Sequence, residues 1–266
     1  MERIDSIDDP RVAPYRNLRD RTLRGESLFV AEGRRVALRL LASRCGVASV
    51  FVADQYAAEF ERAAAGRAPL YVAPESLLLE VVGFKFHRGV LAAGCRPPPA
   101  TLADLLAPLA AAGTLRLVIC PEITKPENMG LIFRNAAAFG IDGVLLGQRS
   151  CDPFSRRCLR VSMGAVLYVP YIKSDDLAAD LRHLKTHGRV ELLAAVLDRR
   201  AEPLADLRWP ARVGVLLGNE ADGLGPEWLA LADRRITIPM RPEVDSLNLG
   251  VAAGIVIYEM QKAIST

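Results

Sequence analysis

The sequence predicts an α/β protein in two parts: a small α/β domain over residues 1–98 and, after a linker over 99–112, a mostly parallel sheet covered by helices over 113–266. Three observations carry this expectation. After Gly113, short β-like runs alternate with helical segments to the end of the chain, which is the pattern of a parallel sheet with both faces covered. Pro97, Pro98 and Pro99 stand in a row, cannot all sit in regular structure, and mark the boundary. A hydrophobic content of 51% over 266 residues suffices for one large core or two ordinary ones.

Before the boundary, VALRLLAS from Val36 has helical periodicity and ASVFVA from Ala48 reads as a strand, with further apolar runs at APLYVA and RGVLAAG. After it, LRLVIC is a strand, NMGLIFRNAAAFG a helix ended by Gly140, and DGVLLG a strand. A helix through Arg160 leads into AVLYVPYI, expected as a strand. DDLAADLRHLKTHG is then a helix, VELLAAVL and RVGVLLG are strands, PEWLALA a helix and RITIPM a strand. The final helix, LNLGVAAGIVIYEMQKA, is apolar almost all round from Leu249 to Tyr258 and is expected to be buried. No internal repeat is present.

Composition narrows the class. The opening MERIDSIDDP carries acids where a secretory signal needs a basic and then an apolar segment, so a cytoplasmic location is expected. The run from Leu249 to Tyr258 is about half of the roughly 20 residues that cross a bilayer, which argues against a membrane partner. Five scattered cysteines form no CxxC pair and fit reduced thiols. His183 and His187 stand four apart, but Leu184 replaces the glutamate of HExxH and no third ligand is evident, so no metal is expected. The net charge of +3 leaves nucleic-acid binding open, although positive charge gathers before Arg44, including Arg34 and Arg35, and at Arg156, Arg157 and Arg160. These five arginines are the candidate RNA contacts.

Ligands of parallel sheets sit outside the carboxyl ends of the strands, which directs attention to three loops. PEITKPENMG delivers Asn128 at a helix start, where it can cap free amides, then Gly130 and Arg134. Ile132, Ala136 and Phe139 mark the buried face and turn Arg134 away from the core; alone, this is equally an ordinary cap and a surface arginine. GNEADGLGP places Gly218, Asn219 and Glu220 directly after an apolar strand, with neither a dinucleotide nor a phosphate-loop spacing. MRPEVDSLNLG sets Asp245, Ser246 and Asn248 at the mouth of the last helix, with Ser246 a candidate N-cap.

Together NMGLIFRNAAAFG, LLGNEADGLGPEW and IPMRPEVDSLNLGVAAGIVIYE closely resemble, in order and spacing, the three signature motifs of the SpoU/TrmH RNA 2′-O-ribose methyltransferases. SRRCLRVSMGA is similar to the family's segment between its first and second motifs, and the resemblance covers roughly Gly113 to Thr266. Residues 1–98 resemble the ribosomal-protein-like substrate-binding domain that often precedes it, through AEGRRVALRLLAS and RGVLAAG. GFKFHRG departs from the small-residue and proline segment common there, which bears on target identity.

The resemblance implies the SPOUT fold, with a C-terminal trefoil knot that binds S-adenosyl-L-methionine largely through backbone groups. By position, the cofactor contacts fall on Leu197, Leu217, Gly218, Asn219, Ile238, Met240 and Leu247. The implied catalytic set is Asn128, Arg134, Glu220, Ser246 and Asn248. Arg134 would clamp the target phosphate, with proton removal as its second possible role; Asn128 and Asn248 would orient Arg134 and the substrate. Glu220 would fix the loops or partner a basic group, and Ser246 would contact substrate or cofactor. The expected partner is RNA, ribosomal in preference to transfer RNA, and the chain is expected to act as a homodimer. A catalytically silent RNA-binding or assembly protein of the same fold is the alternative. Residues 1–98 are expected to be separable from a folded, cofactor-binding remainder.

Overall fold

A computed structural model describes residues 1–18, 27–83, 89–110 and 112–264, with side chains to 262. In chain order its elements begin with β1 (Glu2–Arg3), β2 (Leu28–Glu32), α1 (Arg34–Ala42), β3 (Val47–Ala53), α2 (Ala57–Ala64), β4 (Leu70–Ala73), α3 (Glu75–Val82) and β5 (Val90–Cys95). There follow α4 (Leu102–Leu106), β6 (Leu115–Cys120), α5 (Pro126–Ala138), β7 (Gly143–Leu146), α6 (Arg156–Val161), β8 (Tyr171–Lys173) and α7 (Leu177–Thr186). The rest are β9 (Glu191–Ala195), β10 (Glu202–Pro203), β11 (Arg212–Leu216), α8 (Pro226–Leu231), β12 (Arg234–Thr237) and α9 (Leu249–Ile264).

The chain forms two compact units, Met1–Pro98 with Asp152–Tyr168, and Pro99–Cys151 with Val169–Thr266. The first holds a mixed sheet in the order β1-β4-β3-β5-β2, parallel across β1, β4 and β3 and antiparallel where β5 meets β3 and β2. Its core gathers Ile4, Val12, Tyr15, Phe51 and Leu78, and the Tyr15 hydroxyl bonds Ser49 and accepts from the Ala93 N–H, so its polar end is satisfied inside the core. The GFKFHRG departure lies mostly at 84–88, outside the described residues.

The second unit carries a seven-stranded sheet, parallel throughout, in the order β10-β12-β9-β11-β6-β7-β8. Its strands read as near-continuous apolar runs because both faces are covered, and Val118, Val144, Leu193 and Val215 are fully buried. In chain order the sheet grows from β6 to β7 and β8, crosses to β9 on the other side, and then inserts β11 between β9 and β6 and β12 between β10 and β9. The carboxyl ends of β12, β9 and β11 therefore lie side by side.

Four expectations are corrected. Residues 99–112 are more than a linker: Thr101 and Asp104 form a reciprocal capping box that starts α4, and Leu102 and Leu105 join the core of the second unit. Residues 152–168 belong with the first unit, where α6 packs on β2 and the Phe154 ring meets Phe29 at 4.5 Å, so deleting residues 1–98 would strip these buried residues of their partners. AVLYVPYI is strand only from Tyr171. Residues Ala165–Leu167 form a tight turn after Gly164, whose φ is 82°, and Pro170 has no N–H to give a ladder. Lastly, α9 is not buried all round: Val251, Ile255 and Tyr258 are 50%, 36% and 48% exposed.

Candidate active site

The loops after β9, β11 and β12 open onto one cavity of about 620 Å³, to which α5 contributes Asn128 and the start of α9 contributes Ser246 to Leu249. That volume is in the range of small-molecule sites, roughly 300–1,000 Å³. All of the positions expected at the cofactor, Leu197, Leu217, Gly218, Asn219, Ile238, Met240 and Leu247, line it, as do Asn128, Glu220, Ser246 and Asn248. Arg134 is outside the lining.

Local chemistry shapes the loop after β11. Asn219 and Gly223 exchange backbone hydrogen bonds of 2.8 and 3.1 Å, closing a narrow turn in which Gly223 takes φ 70°. A Cβ on Gly218 would stand 2.4 Å from the Gly223 carbonyl carbon, so only glycine lets the strand end pass this close to the returning chain. The Asn219 side chain accepts from the Ala221 N–H at 2.8 Å and donates to the Glu122 carbonyl at 3.2 Å, which ties the turn to the loop after β6.

Glu220 ties the same two loops together again. Its carboxylate accepts from the Thr124 N–H at 3.2 Å, the Thr124 hydroxyl at 3.1 Å, the Lys125 N–H at 3.0 Å and Asn128 Nδ2 at 3.0 Å. Burial pushes this carboxyl up, yet the bonds from Asn128, Lys125 and Thr124 outweigh burial and hold its pKa below the usual glutamate value. Asn128, 4% exposed, passes the network on: its Oδ1 accepts from Asn248 Nδ2 at 3.1 Å. Asn248 Oδ1 in turn accepts from the N–H groups of Gly250 and Val251 at 2.9 and 3.3 Å. All three candidate loops are thus joined by one chain of side chains, Glu220 to Asn128 to Asn248.

This network revises three local expectations. Asn248, and not Ser246, caps α9, because its oxygen reaches the first free amides of that helix; Ser246 is exposed at the cavity. Asn128 caps nothing, since α5 begins at Pro126, and its amide is spent on Glu220 and Asn248. Neither asparagine bonds Arg134, which is exposed on α5, six residues or about 9 Å along the axis from Asn128. Thr124 and Lys125 are structural donors that sequence reasoning missed; backbone donors leave no signal in residue type.

The walls suit a ligand with apolar and polar parts. Leu197, Leu217, Ile238, Met240 and Leu247 supply apolar surface, and among the described residues no hydrogen bond engages the backbone of Leu197, Gly218, Ile238, Met240 or Leu247. Free N–H and C=O groups at strand ends can bind the polar edges of a nucleoside and an amino-acid moiety, so the cavity fits S-adenosylmethionine. Among the described residues no group of three potential metal ligands exists; His183 and His187 instead stack at 4.5 Å on α7.

The arginines expected to meet RNA divide. In the first unit, Arg156 and Arg160 flank Glu32, itself 5% exposed, at 3.9 and 3.4 Å, and Arg34 grips Glu59 at 2.6 Å. A buried carboxylate needs opposite charge beside it, so Arg156 and Arg160 are committed to Glu32, whereas the Arg34–Glu59 pair is exposed and water-screened and leaves Arg34 within reach of a phosphate. Arg35 and Arg157 are exposed.

Comparison with known proteins agrees with this geometry. The model of the SpoU rRNA Methylase family matches residues 116–258. An uncharacterized tRNA/rRNA methyltransferase of Mycobacterium tuberculosis is 37% identical, with 96% of this chain and 90% of the relative covered. The 23S rRNA (guanosine-2'-O-)-methyltransferase RlmB of Acinetobacter baylyi is 32% identical over 68% of this chain and 73% of its own length. The crystal structure of an AdoMet-bound rRNA methyltransferase from Sinorhizobium meliloti superposes with a TM-score of 0.81 at 24% identity, covering 98% of this chain and 97% of that one, and shares the fold. No helix of the structure, among the described residues, is long and apolar enough to cross a membrane. A parallel sheet whose strand ends share one cavity, with all three motifs tied together at its mouth, thus accompanies a match over more than half the chain: the protein belongs to the SpoU rRNA methylase family.

Proposed function

We propose that this chain is a cytoplasmic, S-adenosylmethionine-dependent RNA methyltransferase that modifies a ribose 2′-hydroxyl, with ribosomal RNA as its substrate in preference to transfer RNA. The observation that carries this reading is the cavity at the ends of β9, β11 and β12, closed by the bonded series Glu220, Asn128 and Asn248. The choice of ribosomal RNA rests on the A. baylyi relative. A C-terminal trefoil knot belongs to the same reading, supported by the way stretches near 197, 218 and 247 line one cavity.

When bound, S-adenosylmethionine supplies the methyl group. Leu197, Ile238, Met240 and Leu247 would hold it by apolar surface and by the free backbone groups beside them. Glu220 already accepts four hydrogen bonds and works as a fastener, not as a base. Arg134, with no bonded partner among the described residues, clamps a substrate phosphate and orients the 2′-hydroxyl, whose proton passes to water as the oxygen takes the methyl group and leaves the donor sulfur a neutral thioether; the intrinsic pKa of arginine makes proton acceptance by Arg134 itself its second role. The test is a map of 2′-O-methylated positions in RNA from cells with and without the gene. One ribosomal mark lost with the gene supports the reading; a lost mark in transfer RNA corrects the substrate, and cofactor binding with no mark lost leaves the silent RNA-binding alternative.

The proposal includes a homodimer. Val251, Ile255 and Tyr258 follow the i, i+4, i+7 spacing of one helix face and leave apolar surface in water that a second copy would cover. Light scattering at micromolar concentration should give a dimer and Ile255→Asp a monomer; a wild-type monomer refutes the pairing.

A further inference from the structure

A second cavity of about 330 Å³ adjoins the first, and Leu197, Thr237, Ile238 and Met240 line both. Its own wall brings together Arg199, Arg241, Pro239, Pro242, Val244 and Asp245. Three features distinguish it. Arg199 and Arg241 are exposed and, among the described residues, have no hydrogen bond or ion pair to their side chains, whereas neighbouring Arg200 pairs with Asp198 at 3.3 Å. Leu197 and Val244 are 69% and 46% exposed, unusual for large apolar side chains. Asp245 adds a carboxylate that, when ionised, only accepts hydrogen bonds.

A ligand that satisfies this wall is anionic at one end, apolar in its body and bears hydrogen-bond donors. We infer that the second cavity is the acceptor-nucleotide subsite: Arg199 and Arg241 take a phosphate of a single-stranded ribonucleotide, Pro239, Pro242 and Val244 face its base, and Asp245 meets a base amino group or ribose hydroxyl. Guanidinium groups suit phosphate, and single-stranded RNA is bound by unstacked bases resting on protein surface. The shared wall then sets acceptor and methyl donor side by side. This inference rests on the cofactor reading of the first cavity.

The test uses the full chain, with a fluorescein-labelled single-stranded 12-mer oligouridylate as RNA probe and calorimetry for S-adenosylmethionine. For the double variant Arg199→Ala/Arg241→Ala, the expected result is cofactor affinity within about twofold of wild type and oligonucleotide affinity at least about tenfold weaker at low salt. The slope of log affinity against log salt should flatten by about 1.4, near 0.7 for each lost single-strand phosphate contact. Arg199→Lys/Arg241→Lys, which retains both charges, should keep most of that slope, and both sites are exposed, so thermal melting should be unchanged. An unmoved slope in the alanine variant, with the wild type binding cofactor, overturns this inference alone. Loss of cofactor binding in that variant also overturns it, because the arginines would then serve the first cavity. A wild type that binds no S-adenosylmethionine removes the cofactor reading and this inference with it.

Discussion

Three arginines of the first unit and three of the second meet opposite circumstances. In the first, Arg156 and Arg160 neutralise the buried Glu32, and Arg34 holds Glu59. In the second, Arg134, Arg199 and Arg241 have no bonded carboxylate among the described residues, and two of the three line a cavity. Arg156 and Arg160, in a basic cluster plain in the sequence, are therefore committed to structure, while Arg35 and Arg157 of the same clusters are exposed and two scattered arginines line a cavity. Charge density along a chain says where cations are; only burial of the carboxylates says which are spent.

Replacing one arginine from each set breaks or sharpens this contrast. Arg134→Ala should leave folding and S-adenosylmethionine affinity near native while methyl transfer falls by about a hundredfold or more, since positioning contributes much of such an acceleration. Arg134→Lys should restore little, because an ammonium lacks the bidentate fork. Single-turnover assays on the mapped RNA check both, and near-native turnover of the alanine variant makes Arg134 an ordinary surface residue.

The network fastened by Glu220 in the second unit should respond in stability. Glu220→Ala leaves the buried Asn128 amide without its acceptor, while the exposed Thr124 and Lys125 donors turn to water, and should cost about 1–2 kcal/mol in urea unfolding, together with cofactor affinity. The Glu220 pKa lies below its unfolded value, so its contribution is complete at neutral pH and is lost as pH falls through the acidic carboxylate range. Glu220→Gln should flatten that part of the acid limb; an unchanged limb places the network's strength elsewhere. The smallest effect is expected at Arg160→Ala, which should lower stability by about 1 kcal/mol through Glu32 without changing the salt slope of RNA binding. A slope that does fall would return Arg160 to the RNA-contacting set.

Much of the second unit was legible in the sequence because its information is local. Strand runs such as Leu115–Cys120 and the glycine that ends α5 declare themselves within a few residues, and the three motifs mark the ends of their strands. Long-range pairings are not written that way. Glu32 and Arg160 stand 128 residues apart, so the fate of that arginine was invisible, as was the attachment of 152–168 to the first unit. The helix α9 is apolar on nearly every face, and composition alone cannot say which face stays open. Asn248 was expected beside the substrate, but its capping of α9 and bond to Asn128 depend on where another helix begins.

The most direct measurement is transfer of labelled methyl from S-adenosylmethionine, by the purified chain, onto RNA extracted from cells lacking the gene, followed by alkaline hydrolysis. A 2′-O-methyl group removes the hydroxyl that alkali needs to break the next phosphodiester, so the label should be recovered in an alkali-resistant dinucleotide from ribosomal RNA, and Arg134→Ala should abolish nearly all of it. Label recovered in ordinary mononucleotides would mean methylation of a base, and no label in any RNA would mean that the cavity binds without transferring; either result contradicts a ribose methyltransferase.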